Sequence, residues 1–348
     1  MRRSSLLLTA LLALVLSACM TPQALELRGQ PPQAVELSRV PFYAQREYQC
    51  GPAALAMVMS HLGRDVTPDE LAPSLYIPGR EGTLADELLA QSRLRGFVPE
   101  RLAPDLRVIA QAVADGSPVI VFQNNGLSWY PVWHYAVVIG VDAARGEVIL
   151  RSGEQARLVL SWSVFDRTWT RSGRWAIRLL PVAAEWPASA SQPVVSKQLL
   201  AMARTAPAFA LTGLRRALQR WPQEVPLWLA LAQVSEQEQG LASAEAVLRE
   251  GLLALPEAPW LLNNLADVMT RNGQPKAAIP LARRALQQLD AGGRHHQVLA
   301  QHLGQAAGRA LAHLGNANRQ RDAVVGADGQ PAVDRGAHGG GIGTGRRQ

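Results

Sequence analysis

Apolar positions recur at helical spacing early in the chain and at strand spacing in the stretch that follows. After Pro52, the residues Leu55, Val58, Met59 and Leu62 share one helical face, and Gly63 supplies a stop. Thr67-Pro68-Asp69-Glu70 combines an N-cap, a first-turn proline and a capping-box acid, so a second helix starts there. Thr83 and Asp86 open a third, ahead of the apolar face of Leu88, Leu89 and Leu94. Strand patterns then occupy Val119–Phe122, His134–Val141, Glu147–Arg151, Arg157–Leu160 and Trp175–Leu180, with Ala143-Ala144-Arg145-Gly146 as a hairpin turn. Helices followed by an antiparallel sheet predict an α+β domain over residues 40–182.

Residues 183–197, rich in Ala, Ser and Pro, read as a linker. From 198 to 315 the chain is helical and repetitive. Pro222 and Pro256 stand 34 residues apart, as do Leu231 and Leu265, and Ala232 and Ala266. Gly240 and Gly273 each precede an Ala-rich amphipathic helix. A helix–turn–helix period of about 34 residues resembles the tetratricopeptide repeat, whose stacks form grooves for peptides or partner helices. Leu199–Trp221 would supply a preceding half-repeat and Leu299–Leu314 a cap. Residues 316–348 are Gly-rich and aperiodic, the composition of a disordered tail.

The N-terminus changes the picture. Arg2 and Arg3 precede an apolar run from Leu6 to Leu16, which ends in Leu16-Ser17-Ala18-Cys19. Such a run spans only ~16 Å as a helix, too short for a bilayer core of ~30 Å, so it reads as a secretory signal over residues 1–19. Leu-Ser-Ala-Cys resembles the bacterial lipobox, which implies lipidation of Cys19 and a spacer over 20–39. Met20 after the cysteine, by resemblance to sorted lipoproteins, points to the outer membrane with the body in the periplasm. The net charge of +7 falls to about +3 for the folded part once the signal and tail are set aside, too mild to argue for nucleic acid.

The chain has only two cysteines. With Cys19 lipidated, Cys50 is the sole free thiol, and it has no intrachain disulfide partner. It stands at the mouth of the first helix, where unpaired N–H groups and the positive end of the dipole favour a thiolate. Gly51 would let a substrate backbone approach. A thiol nucleophile needs a base. Between residues 23 and 190 only His61 and His134 are available. His61, on the same helix, lies ~16 Å along its axis from Cys50, so His134 is the candidate imidazole. Neither a cofactor nor a metal is implied; His295 and His296 lack an acid or Cys at ligand spacing.

Gln45, four residues, then Cys50-Gly51-Pro52-Ala53-Ala54-Leu55-Ala56-Met57, with a later His134-Tyr135-Ala136-Val137-Val138, resemble the double-glycine leader peptidases. These are papain-like cysteine peptidases that process bacteriocin precursors. The resemblance covers roughly residues 40–182, and the whole chain looks closest to a stand-alone lipoprotein branch with C-terminal tetratricopeptide repeats. It implies a papain-like fold in which Cys50 attacks the carbonyl, His134 moves the proton as a thiolate–imidazolium partner, and Gln45 donates to the oxyanion. It also implies a protein or peptide substrate, cleaved after small residues. The pattern departs at the third catalytic member. Where the family has Asp, this chain has Ser152, in Val148-Ile149-Leu150-Arg151-Ser152-Gly153. Asp142 lies ~26 Å up the strand from His134. The returning hairpin leaves Ser152 or Glu154 as the orienting group. Hydrolysis, acyl transfer and peptide binding without cleavage, as a scaffold, all remain open, with the repeats recruiting substrate or a partner.

Overall fold

A computed structural model describes residues 34–45, 49–77, 79 and 82–291. The expected signal sequence, Cys19, most of the spacer, the capping helix, the His295–His296 pair and the Gly-rich tail lie outside them. The chain divides into two compact units, Met1–Val247 and Leu248–Gln348.

The first unit is built on a seven-stranded sheet. Its strands are β1 (Val35–Glu36), β2 (Phe97–Arg101), β3 (Val119–Asn124), β4 (Trp133–Asp142), β5 (Glu147–Ser152), β6 (Gln155–Ser161) and β7 (Ala176–Pro181). They lie in the order β2-β7-β3-β4-β5-β6, and every pairing is antiparallel. β1 adds to β4 with Val35 opposite Val141 and Glu36 opposite Gly140. A Cβ on Gly140 would lie 2.9 Å from the Val35 carbonyl oxygen, so the glycine admits that approach. The register of β4 against β5 slips at the same place, between Val138 and Gly140.

Helices cover both faces of the sheet, which is why β3 and β4 read as continuous apolar runs without alternation. On one face, α1 (Cys50–His61), α2 (Pro68–Leu75) and α3 (Ala85–Leu94) bury Leu55, Met57, Met59, Leu71 and Leu88 against Ile120, Tyr135, Val137 and Ile139. On the other, α4 (Leu106–Ala114) and α5 (Trp162–Thr170) bury Ile109, Val113, Phe165 and Trp169 against Val119, Val121, Ala136 and Val138. α1 is buried from Gly51 through Met59, the central helix of its layer. The expected cap of α2 is present, with Thr67 Oγ1 accepting from Glu70 N at 3.3 Å and donating to Glu70 Oε1 at 3.0 Å. α3 differs from expectation: its N-cap is Leu84, and Thr83 packs elsewhere.

The sheet domain, residues 35–181, is followed by a helical-repeat region that begins within the same unit. α6 (Gln192–Thr205), α7 (Pro207–Arg220) and α8 (Val225–Gln239) follow β7. Phe209 of α7 fills the space over Gly96, Arg93 of α3 donates to Gln198 Oε1 at 2.9 Å, and Arg220 donates to the carbonyls of Trp186, Pro187 and Ala188. A buried charge cluster joins the same parts. Arg178 of β7 donates to Glu100 of β2 at 2.6 Å and to Asp115 at 3.2 Å, with both members of the first pair 2 % exposed. Glu100 also accepts from Ser191 N at 2.6 Å, ahead of α6. α9 (Leu241–Ala254) spans the boundary of the units, and α10 (Pro259–Arg271) and α11 (Pro275–Ala291) belong to the second. There Arg284 donates to Glu257 Oε1 at 2.8 Å. The repeat positions Leu231, Leu265, Ala232 and Ala266 are all buried.

Candidate active site

Cys50 is the first residue of α1 and is half-buried, with Gln49 as an N-cap whose side chain makes no capping bond. The first-turn N–H groups are therefore not taken up by a side-chain cap. Backbone N–H groups of Tyr135, Gly51 and Cys50 itself donate toward the thiol and pull its pKa down. Burial pushes the other way and dominates, so the thiol stands above its ordinary value. The depression expected from the helix N-terminus is thus outweighed by desolvation.

His134 is the second residue of β4, half-buried, with Gln123 of β3 opposite it. Burial lowers its pKa from the ordinary imidazole value. Its Nε2 lies 2.9 Å from Ser152 Oγ at the end of β5. The hairpin therefore returns Ser152, which is buried, to the imidazole. Glu154 sits exposed in the β5–β6 turn and, among the described residues, makes no hydrogen bond to His134. Of Ser152 and Glu154, Ser152 is the one whose side chain meets the His134 ring. Nδ1 of His134 is left for other partners. No hydrogen bond joins Cys50 Sγ to His134 among the described residues; the thiol instead meets the backbone of Tyr135, one residue along β4.

Gln45 is held on the same backbone. Its Nε2 donates to the Tyr135 carbonyl at 3.2 Å, and its Oε1 accepts from Gly153 N at 3.1 Å. Gln45 N donates to Gly153 O at 3.0 Å. β4 and β5 stop pairing at Val137 and Arg151, and the Gln45 amide bridges the fork beyond. One N–H of Nε2 is left over from this bridge. The backbone of Tyr135 thus gathers Gln45 on its carbonyl and Cys50 on its N–H. That organising role has no signature in the sequence, because it belongs to main-chain atoms.

Thr83, expected only at a helix start, has a place at the site instead. A Cβ on Gly51 would lie 2.5 Å from Thr83 Oγ1 and 2.6 Å from its Cβ, so the glycine makes room for this side chain. The glycine thus has a packing reason of its own, beside the substrate approach expected of it. Among the described residues, Thr83 Oγ1 is buried without a hydrogen-bond partner. His61 lies at the far end of α1, with Nε2 3.4 Å from the Gly116 carbonyl, and takes no part in the site. Among the described residues no group of three or more His, Cys, Asp or Glu could hold a metal ion.

Likeness to known proteins is confined to the sheet domain. No curated protein matches the chain. Among solved structures, a candidate C39-like peptidase from Bacillus anthracis is 20 % identical over 42 % of this chain and 98 % of its own, with a TM-score of 0.36. The peptidase domain of Streptococcus ComA, a bi-functional ABC transporter involved in a quorum-sensing pathway, is 24 % identical over 43 % of this chain and 98 % of its own, with a TM-score of 0.34. Residues 37–177 match the Peptidase_C39 like family. That stretch contains Gln45, Cys50, His134 and Ser152, so the likeness to C39-like peptidases covers the sheet domain and not the helical repeats.

Proposed function

We propose that this chain is a lipid-anchored cysteine peptidase. Cys50 attacks the scissile carbonyl, His134 accepts the thiol proton and returns it to the leaving amine, and Ser152 orients the imidazole. The oxyanion is met by the Cys50 N–H at the open helix mouth and by the spare N–H of Gln45. A single observation carries the reading: His134 Nε2 on Ser152 Oγ at 2.9 Å, one residue from the Tyr135 backbone that receives Cys50 and Gln45. Burial raises the thiol and lowers the imidazole, which favours a neutral resting pair over a thiolate–imidazolium pair. The proton then moves as the nucleophile attacks, with His134 as general base. Lipidation at Cys19 holds the protein on the outer membrane facing the periplasm, and the tetratricopeptide-like helices recruit a protein substrate or partner.

The same two pKa shifts, with Ser152 in place of an acid, favour a second reading, a peptide-binding scaffold with weak or no turnover. A peptidyl chloromethyl ketone separates the two. Labelling of Cys50 in the full chain, followed by mass spectrometry, is expected to slow about 10²- to 10⁴-fold in His134→Ala, the usual worth of a general base. A labelling rate indifferent to His134 would sink the peptidase and leave the scaffold.

A further inference from the structure

The hairpin joining β3 to β4 departs from the burial pattern of the sheet it extends. Trp129 is 80 % and Tyr130 70 % exposed, and Leu127, Val132 and Trp133 are each about half exposed. The loop is braced by its own hydrogen bonds, so this display is built in. Asn124 Oδ1 accepts from Gly126 N and Val132 N at 3.0 and 2.9 Å, and Leu127 and Tyr130 exchange backbone hydrogen bonds at 3.0 and 3.2 Å. Trp133 stacks on Phe122 with ring centroids 5.2 Å apart. An aromatic side chain can bury roughly 150–250 Å², so a fixed, exposed cluster of this kind marks a contact surface.

The composition of the hairpin selects the partner. Trp and Tyr carry an apolar body with one polar handle and concentrate at the membrane–water interface. No Asp, Glu, Lys or Arg occurs between Val119 and Val141, so nothing ionised resists insertion. A cation stands at the base: Arg171, held by hydrogen bonds of 3.1 and 2.9 Å to the Asn124 carbonyl, where a headgroup phosphate would lie. The chain ahead of the described residues carries the apolar run Leu6–Leu16 and Cys19. Residues 20–33 can reach at most about 50 Å. From Val141, which faces the first residue of β1, to Trp133 is only ~26 Å along β4. Anchor and hairpin can therefore engage one bilayer.

We propose that Leu127–Trp133 seats in the interfacial zone of a lipid bilayer as a second membrane contact, holding His134 at the membrane surface. The tethered geometry rests on the lipid-anchored reading above, but the contact itself is measured without acylation. The full chain carrying Cys19→Ser is mixed with phosphatidylethanolamine–phosphatidylglycerol vesicles brominated near the acyl-chain carbonyls, and tryptophan emission is followed. Quenching is expected, and Trp129→Phe, which keeps the hairpin apolar, should remove part of the quenched emission. Adding Trp129→Ser and Tyr130→Ser to Cys19→Ser should weaken vesicle binding about tenfold or more, with Cys50 alkylation by iodoacetamide unchanged. Quenching identical in Trp129→Phe would overturn the proposal. So would a double serine variant that binds vesicles normally but loses turnover of a soluble peptide, which would make the hairpin a peptide subsite. Failure of the peptidase reading appears separately, as His134-independent labelling of Cys50.

Discussion

An imidazole that meets a hydroxyl is held in place without being charged. Ser152 Oγ fixes the ring of His134 through Nε2 but adds no field that would favour the imidazolium. Burial is then the first cause of the His134 shift, and it is downward. In the proposed mechanism the neutral ring is the base, so the acid limb of the pH–rate profile is expected below the ordinary ~6.5 of histidine. Ser152→Asp puts a carboxylate at Nε2, which stabilises the charged ring and should move that limb upward. Ser152→Ala should slow Cys50 labelling by about 2- to 10-fold, the worth of one neutral hydrogen bond. A limb that stays put in Ser152→Asp would mean the two side chains do not couple. At this scale the sequence was legible for side chains: Cys50, His134, Gln45 and Ser152, all singled out from it, meet around the Tyr135 backbone and the His134 ring. The backbone of Tyr135 and the Gly153–Gln45 bridge could not be read from it, since any residue type presents those atoms.

At the scale of elements, the mouth of α1 is shaped by a neighbour that enters from a distant loop. Thr83 lies over Gly51 so closely that Gly51→Ala forces a side chain or the helix to move, at a cost of roughly 1–3 kcal/mol. The urea midpoint should fall accordingly, and Thr83→Gly added to Gly51→Ala should restore much of it. Strict additivity of the two changes would show that they do not share the space. The strands flanking the hairpins were readable from their apolar runs, and the Thr67–Glu70 capping box marked α2. β2 was missed because Pro99 interrupts it and four of its five residues are buried, leaving no alternation. As an edge strand it tolerates the proline. α4 had a usable signal that was not taken up: Asp105 caps Arg107 N at 2.8 Å, and Leu106, Ile109, Ala110 and Val113 follow at helical spacing. α5 is shorter in apolar content, with only Phe165 and Trp169 buried.

Across the whole molecule, the strongest electrostatic commitment lies away from the candidate site. Arg178 is buried with Glu100 as its partner, and Asp115, Ser189 and Ser191 complete the network that ties β2 and β7 to the segment leading into α6. Removing one member strands the others in a dry environment. Arg178→Met is expected to destabilise the first unit by about 3–5 kcal/mol, read as a drop in thermal midpoint. Exposed pairs such as Arg271–Asp267 contribute little by comparison. Nothing in the sequence marks this cluster, because Glu100 and Arg178 are 78 residues apart and meet only through the pairing of β2 with β7. The desolvation that holds Cys50 protonated has a consequence for endurance. Thiolates, not thiols, are what peroxides convert to sulfenic and then irreversible acids. Residues 20–348 contain no other cysteine that could shield Cys50 as a disulfide. On the proposed reading, a nucleophile kept in its protonated form until an acyl group arrives can wait through long idle periods, in the oxidising surroundings that reading gives it, without losing titre.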